Sequence, residues 1–477
     1  MIAIAGSDLE MTVEGEEPAL HGRPIHQFGG REAIGELFAF TFVVTFSDLA
    51  PTAEEILGQR IQVVMSRGGL VVRRIHGMVS EVRVLKAEAE GELRYRLTLV
   101  PRAWRLTAVT TQEIYMDLSL PDLLRRKLAE VGLERHTEFR LARDYPALEF
   151  VVQYRESDLA FVLRLCERHG LALTIEHDED HDRVVFSDHN HGFRRGPGLS
   201  WPAVGETGDL EDVEATQRLV PRWYGVYDYN YRAPTLELSA ASDTGGRAGG
   251  VTEYAVHVKT PEEAERLADT RAGELRGRRL VIDGRSHHFG IRAGTLCRLQ
   301  NVPPWLEHEE IIVTSVRYAM VEAEGSAKAL TCSFEAQPTD HVYRPPRKTP
   351  RPRIHGVLSG VIEGDDPAAP DGGIARLDDQ GRYRVRFHFD TAEPHERKAS
   401  RRVRMAQPYA GPGQGMHFPL RPGTEVLLVF LDGDPDRPII VGAVPNVLTA
   451  SPVARESAHH NRIATASGVM FEIIDGR

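Results

Sequence analysis

At 477 residues, with 41% hydrophobic and 27% charged positions, the chain is long enough for several domains and a large buried core. Its net charge of -11 argues against a protein whose main task is gripping a polyanion, because phosphate binding relies on clustered Lys and Arg. Cys166, Cys297 and Cys332 lie far apart with no C-x-x-C pair, which excludes a disulfide framework and a zinc knuckle.

The N-terminal Met-Ile-Ala-Ile-Ala-Gly-Ser-Asp has no positive flank and soon meets acidic residues, so no secretory signal peptide is expected. No apolar run approaches the roughly 20 residues of a membrane-spanning helix. From Ile25 to Phe46 the chain alternates, with Phe38, Phe40, Phe42, Val44 and Phe46 on one face, which predicts a sheet with one strongly buried side. Arg60 to Met65, Leu70 to Val84 and Leu93 to Leu99 extend it through turns at Arg67-Gly68-Gly69 and Glu90-Gly91.

Two helices follow. Ser119 is placed to cap the first, with Pro121 in its first turn and Gly132 at its end; Ser157 caps the second, which Gly170 terminates. Leu171 to Ile175 and Val184 to Phe186 pair across the polar turn His177-Asp-Glu-Asp-His181. That turn, with Asp188-His-Asn-His191 after it, is the most metal-like cluster in the sequence. It lacks the H-E-x-x-H order, and a solvated polar turn is the expected state. His287-His288 and His459-His460 are expected as surface or packing histidines.

Thr260-Pro261-Glu262-Glu263 is a capping box with Pro at the first helical position, opening a helix to about Arg276. Gly294 to Leu299, Ile311 to Tyr318 and Ala329 to Glu335 then read as strands, so β-rich material occurs twice before residue 340. This predicts two related sub-barrels divided by helices. Tyr343 to Pro352, YRPPRKTPRP, is a proline-rich, basic linker and a domain boundary.

Beyond it, Tyr383, Val385, Phe387 and Phe389 alternate against Arg384, Arg386 and His388, a half-exposed strand. The rings point away from the arginines, so the two cannot share a nucleic-acid-binding face; core packing is expected. Arg401, Arg402 and Arg404 are offset by nearby acids and suit an intersubunit contact. Pro422-Gly423 turns the chain into Glu425 to Leu431, apolar at almost every position and therefore expected to be covered on both faces. Asp432-Gly433-Asp434-Pro435-Asp436 is a tight turn, and Pro438 to Val444 a returning strand. Short strands with turns between them predict a small barrel. At the C-terminus Val469, Phe471 and Ile473 alternate with Met470, Glu472 and Ile474, leaving apolar residues on both faces of a segment that needs partners.

The run M-x-F-P-L-R-P-G-T-E-V-L-L-V-F-L-D-G-D-P-D-R-P-I-I-V-G-A-V-P-N resembles the OB-fold module of the VgrG spike proteins of type VI secretion systems and of phage baseplate spikes. Tyr154 to Gly170, Leu57-Gly58, Ile75 to Val79, and Leu296 to Leu299 with Val313 to Arg317 resemble the hub fused ahead of that module; Thr235 to Gly250 departs most. The resemblance implies a mainly β, multidomain fold. Residues 1–344 would form a hub with two β sub-barrels and helical insertions, 345–352 a linker, 353–447 a five-stranded OB-fold barrel, and 448–477 a linker and the start of a trimeric β-prism needle. It marks Gly423, Glu425, Val429, Phe430, Asp432, Gly433, Asp434, Pro435, Pro438, Ile440, Gly442 and Asn446 as the OB structural motif, and Ile463, Val469, Phe471 and Ile473 as needle residues.

What the resemblance further implies is mechanical. A homotrimer caps a hexameric, Hcp-like inner tube, contacts baseplate proteins, carries a PAAR-type tip protein and effectors, and punctures a target membrane after cytoplasmic synthesis. No cofactor, metal, nucleic-acid partner or catalytic residue is expected. No G-x-S-x-G, phosphate-binding loop or G-x-G-x-x-G occurs. The alternatives are a phage-tail or extracellular injection-particle spike, an OB-type nucleic-acid binder, and a cell-wall hydrolase for which no motif nominates the carboxylate.

Overall fold

The computed structural model describes residues 9–46, 50–86, 91–202, 208–302, 306, 310–321, 329–364, 375, 377–390 and 402–476. The expectations for the first eight residues, Glu90 and Arg401 lie outside them. The chain is mainly β and divides into two compact units. The first holds residues 1–109, 121–145 and 157–350; the second holds 110–120, 146–156 and 351–477. Two segments that sequence assigns to the N-terminal module therefore belong to the second unit's core.

In the first unit the two β-rich stretches meet in one sheet, with thirteen strands among the described residues. The junction is the strand Glu310–Val321, which pairs with Ala329–Pro338 on one side and with Gln27–Ala33 on the other, Ser315 opposite Ala33 and Met320 opposite Phe28. Close approach explains the glycine there. At Gly30, φ is +152°, and a Cβ would lie 2.2 Å from the Ala39 carbonyl oxygen, so no side chain fits against the neighbouring antiparallel strand Ala39–Phe46.

The strand Ala39–Phe46 shows why alternation fixes this sheet. Phe40, Phe42, Val44 and Phe46 are at most 1% exposed, and Thr41 faces out. Phe40 packs against the rings of Phe28, Phe38 and Tyr318 at 5.1 to 5.7 Å. Each such ring buries enough apolar surface to contribute about 2–3 kcal/mol.

The helices match their terminal signals. Asp158–His169 is capped by the Ser157 side chain, which accepts from the Ala160 N–H, and ends at Gly170 with φ +74°. Pro261–Arg279 begins at the Thr260 cap and runs one turn further than expected, its last turn carrying Arg276, Arg278 and Arg279 where positive charge suits the helix dipole. Leu120–Glu130 occupies the first predicted helical stretch.

Two polar segments differ from expectation. The turn after Ala172–His177 is exposed only at Glu179 and Asp180. His177 is 5% and Asp182 2% exposed, because Asp182 accepts from the backbone and side chain of Arg102, and the His177 ring packs at a tilt against Phe38 at 5.4 Å. The tip of the turn faces water as expected, but its two ends are buried, because partners meet them. The proline-rich stretch is extended but strapped down. Tyr343 N–H donates to Asn190 Oδ1 (2.9 Å), Arg347 grips Glu253, and the Thr349 N–H donates to the Glu167 carboxylate (3.0 Å).

In the second unit, the described residues form a four-stranded sheet, where five strands were expected, in the order Val385–Phe387, Leu358–Ile362, Glu425–Phe430, Pro438–Val444. Isolated bridges, Tyr383 to Val403 and Met405 to Ile440, draw further chain onto it. Tyr383, Val385, Phe387, Val426, Leu428 and Ile440 are at most 1% exposed, and Phe150, Val152 and Tyr154 from the recruited segment 146–156 share that core. Arg386 and His388 point out, opposite to the rings.

Candidate functional site

The candidate site is the second unit's acidic turn and the hairpin at its C-terminal end. The strand Glu425–Phe430 was expected to be covered on both faces. It alternates instead: Val426, Leu428 and Phe430 are buried while Leu427 and Val429 are half-buried. Across from them Ile439 is half-buried and Val441 is 43% exposed, giving the outer face of the sheet an apolar stripe. Ile440 is fully buried; its N–H donates to Arg404 (3.0 Å) and its carbonyl accepts from Ala406 (2.7 Å). Gly442 faces a register shift between Leu427 and Leu428, and Pro438 opens the returning strand opposite Phe430, the end position that a residue without an N–H tolerates.

The turn between those strands works as a clasp. Asp432 and Gly433 both take left-handed backbone, φ +53° and +69°, a region that aspartate tolerates better than most residues. Asp434 and Asp436 are 4% and 7% exposed. Asp434 accepts from Arg351 Nη2 (2.7 Å) and from the Asp436 N–H (3.1 Å), while Asp436 accepts the Val152 N–H (2.7 Å). Burial works against the charge of Arg351, but Asp434 and Asp436 beside it more than offset this and raise its pKa. Pro435 sits between the two carboxylates and presets the backbone. The motif therefore ties three stretches of chain: the entering segment at Arg351, the recruited segment at Val152, and the turn itself.

At the other end, Gly423 has φ +84° and its N–H donates to Ile362 (2.9 Å). Asn446 closes the module: its Nδ2 donates to Glu425 (3.0 Å), and its Oδ1 accepts from Leu448 and Thr449 N–H (both 2.9 Å). The carboxylates of this turn meet guanidinium and amide donors.

The C-terminal segment is a hairpin and not a lone strand: His460–Ala464 pairs with Met470–Ile474. Its register puts Ile463, Phe471 and Ile473 on one face, with Val469 at the turn, where its carbonyl accepts from the Thr465 N–H (2.9 Å). The opposite face carries Arg462, whose Nε donates to Glu472 (2.7 Å), and His460, whose Nδ1 lies 2.8 Å from the same carboxylate. Ile463, Val469, Met470, Phe471, Ile473 and Ile474 are 46 to 66% exposed. The recruited strand and the Arg351 clasp were missed by sequence; the only signal for the clasp was a run of aspartates richer than a turn needs.

With this geometry in place the comparisons are decisive. A family model, phage tail baseplate hub (GPD), matches residues 31–324, and a second, type VI secretion system/phage-baseplate injector OB domain, matches residues 372–444. The chain belongs to the phage tail baseplate hub family. Behind the hub it carries the injector OB domain, as a VgrG-type chain. The type VI secretion spike protein VgrG1c of Pseudomonas aeruginosa is 28% identical over 441 residues, covering 88% of this chain and 60% of the relative. VgrG1a of the same organism is 28% identical over 443 residues, 88% of this chain and 67% of the relative. The chain thus spans about two thirds or less of these relatives.

Among solved structures, the E. coli c3393 protein, described as a type VI secretion component similar to T4 tail proteins gp27 and gp5, superposes with a TM-score of 0.66. The match has 24% identity and covers 91% of this chain and 99% of that one. VgrG in the Francisella PdpA-VgrG complex has the same TM-score at 7% identity, covering 99% of this chain and 84% of that one. These likenesses show the fold. Among the described residues, no helix is long and apolar enough to cross a membrane.

Proposed function

We propose that the chain is a structural spike subunit of a contractile injection machine of the type VI secretion class and works as a homotrimer. The observation that carries this reading is the C-terminal hairpin. A two-stranded ribbon with half-exposed apolar residues on both faces is not stable alone in water, and packing three copies about one axis would bury Ile463, Val469, Phe471 and Ile473 together. The outward stripe of Leu427, Val429, Ile439 and Val441 supports the same assembly at the level of the OB barrel.

In this reading residues 1–344 are the hub, less the two segments lent to the second unit, 345–352 the connection, 353–447 the OB collar and 448–477 the root of the needle. Three chains present paired barrels to a hexameric, Hcp-like tube, and baseplate proteins hold the hub. A PAAR-type protein tips the needle, effectors ride with it, and sheath contraction drives the spike through a target membrane. The task is mechanical, with no catalytic residue; the acidic clasp resists unfolding under load. The names of the relatives support this, since they are spike proteins of type VI secretion.

The test is absolute mass by light scattering during size exclusion. Three times the 53.2 kDa chain mass supports the reading. A monomer that stays monomeric across a hundredfold concentration range, and with a lengthened C-terminus, removes the threefold axis on which it depends.

A further inference from the structure

In the first unit, the strands Trp223–Asp228, Leu238–Asp243 and Gly250–Tyr254 form a separate three-stranded sheet. One face turns inward: Tyr224, Val226 and Leu238 share a small core with Ala264, Ala268 and Ala272 of the helix Pro261–Arg279. Strand alternation sends the other face to water, where polar residues are the rule. It carries rings instead. Trp223 is 39%, Tyr227 44% and Tyr254 57% exposed.

Register sets these rings out as two platforms. Trp223 lies opposite Gly250, and a Cβ on Gly250 would meet the indole 2.1 Å from Cε2 and 2.5 Å from Nε1, while one on Gly225 would lie 2.9 Å from Cζ3. The indole therefore lies flat across two glycines, one face on the backbone and the other toward solvent; a side chain at either position would tip it upright. Tyr227 lies opposite Tyr254, their ring centroids 4.8 Å apart. The four residues from Trp223 to Tyr227 span roughly 13 Å of strand, the length of about three pyranose rings. Beside the platforms are the exposed Thr252, opposite Gly225, and Ser239, opposite Tyr227. Asp243 is the one charged residue on this face of the three strands, and its carboxylate accepts the Gly245 N–H (2.6 Å).

We propose that this face binds a neutral polysaccharide strand of β-1,4-linked hexopyranose rings, laid over Trp223 and then over Tyr227 with Tyr254. An aromatic face is apolar and negative, and it matches the axial C–H bonds that a sugar ring presents when its hydroxyls are equatorial. The hydroxyls at the rim of the sugar suit Thr252 and Ser239, and a face with no free charge offers nothing to an ionic ligand. Area argues against a folded partner: three strands of this length make a platform on the order of 250 Å², about a third of what each side of a stable protein interface covers. A proline-rich peptide is as narrow, but it docks in grooves between aromatic rings, and here the indole lies down. The segment Thr235 to Gly250, where the chain departs most from the hub resemblance, supplies one of the three strands and Gly250 itself. The site lies within one chain and does not rest on the homotrimer reading.

The test is native electrophoresis of the full chain through gels holding hydroxyethylcellulose, a soluble β-1,4-glucan, or soluble starch, its α-1,4-linked counterpart. The β-glucan should retard the chain and starch should not. Trp223→Ala should raise the apparent Kd for the β-glucan about tenfold, the loss of one stacked ring. Should that variant fail to fold, Tyr254→Ala, at a still more exposed position, decides in its place. No retardation by the β-glucan, equal retardation by starch, or undiminished retardation of the variant overturns the proposal, as does capture of the chain by a polyproline peptide in place of the glucan. Light scattering counts copies and the gel reads sugar, so either reading can fail alone.

Discussion

Phenylalanines mark the contrast between two regions of this chain. In the hub, Phe38, Phe40, Phe42 and Phe46 are at most 1% exposed, and the buried carboxylates of Glu32, Glu176 and Asp182 meet guanidinium partners; in the C-terminal hairpin Phe471 is 60% exposed between Ile463 and Ile473. Both regions alternate apolar residues along strands. The hub satisfies that pattern within one chain, by curling a sheet on itself, and the hairpin has too few strands to do so. The same local rule therefore yields a finished core in one place and a sticky edge in the other, and what decides between them is how many strands the chain itself supplies.

The contrast can be broken most forcefully in the hub. Phe40→Ala should cost about 3–5 kcal/mol, the sum of lost transfer energy and the cavity left among Phe28, Phe38 and Tyr318. Denaturant unfolding of the hub transition measures it, and a cost below 1 kcal/mol would mean the sheet is not closed there. Next, Asp434→Ala leaves Arg351 facing a depleted clasp and should lower the stability of the second unit by roughly 2–3 kcal/mol. Separate transitions for the two units would show the loss in one and not the other.

Acid should act on the hub. His177 is held neutral, its folded pKa depressed below the unfolded value near 6.5, so the unfolded chain binds a proton that the folded one refuses. Its contribution is fully present above pH 6.5 and is lost as pH falls, by about 1.4 kcal/mol per pH unit until the folded pKa is reached. His76 and His136 are shifted in the same direction, chiefly by burial. Melting temperatures at pH 7.5, 6 and 5 should fall in that order, and His177→Gln should flatten the slope; parallel slopes would remove the histidine from the account. Smaller still, Thr260→Ala deletes a helix cap and should cost about 1 kcal/mol. Last, Phe471→Asp should change the unfolding of the separated chain by less than about 0.5 kcal/mol, since so exposed a side chain has little to lose. It should abolish self-association in light scattering. A variant that stays fully trimeric would show that the hairpin is not what holds the copies together.

Much of this was legible from local pattern. Alternation found Ala39–Phe46 and the inward side chains of Tyr383, Val385 and Phe387; caps at Ser157 and Thr260 and the stop at Gly170 placed the helices; and the PGTEV to LDGDPDRPIIVG run, with the hub-like segments, pointed to the family. What escaped depends on partners far away in sequence. Nothing near His177 announces that Phe38 will cover it, or near Asp182 that Arg102 will pair with it, so a polar turn was expected to face water. Leu427 and Val429 looked like core because the rule for continuous apolar runs counts residues and cannot count layers. The pairing of His460–Ala464 with the last strand was hidden because its residues are mostly polar.

The segment around Val152 bonds to Asp436 across 284 positions of chain. During synthesis at about 5–20 residues per second, Val152 emerges roughly 15 to 60 s before the turn that receives it. For that interval the hub is made while Phe150, Val152 and Tyr154 have no core to enter, and three phenyl- and isopropyl-bearing side chains stand open to whatever else the cell holds. A chain of this build is thus born with a waiting period, and its yield depends on how well that one strand is shielded until the turn at Asp436 arrives.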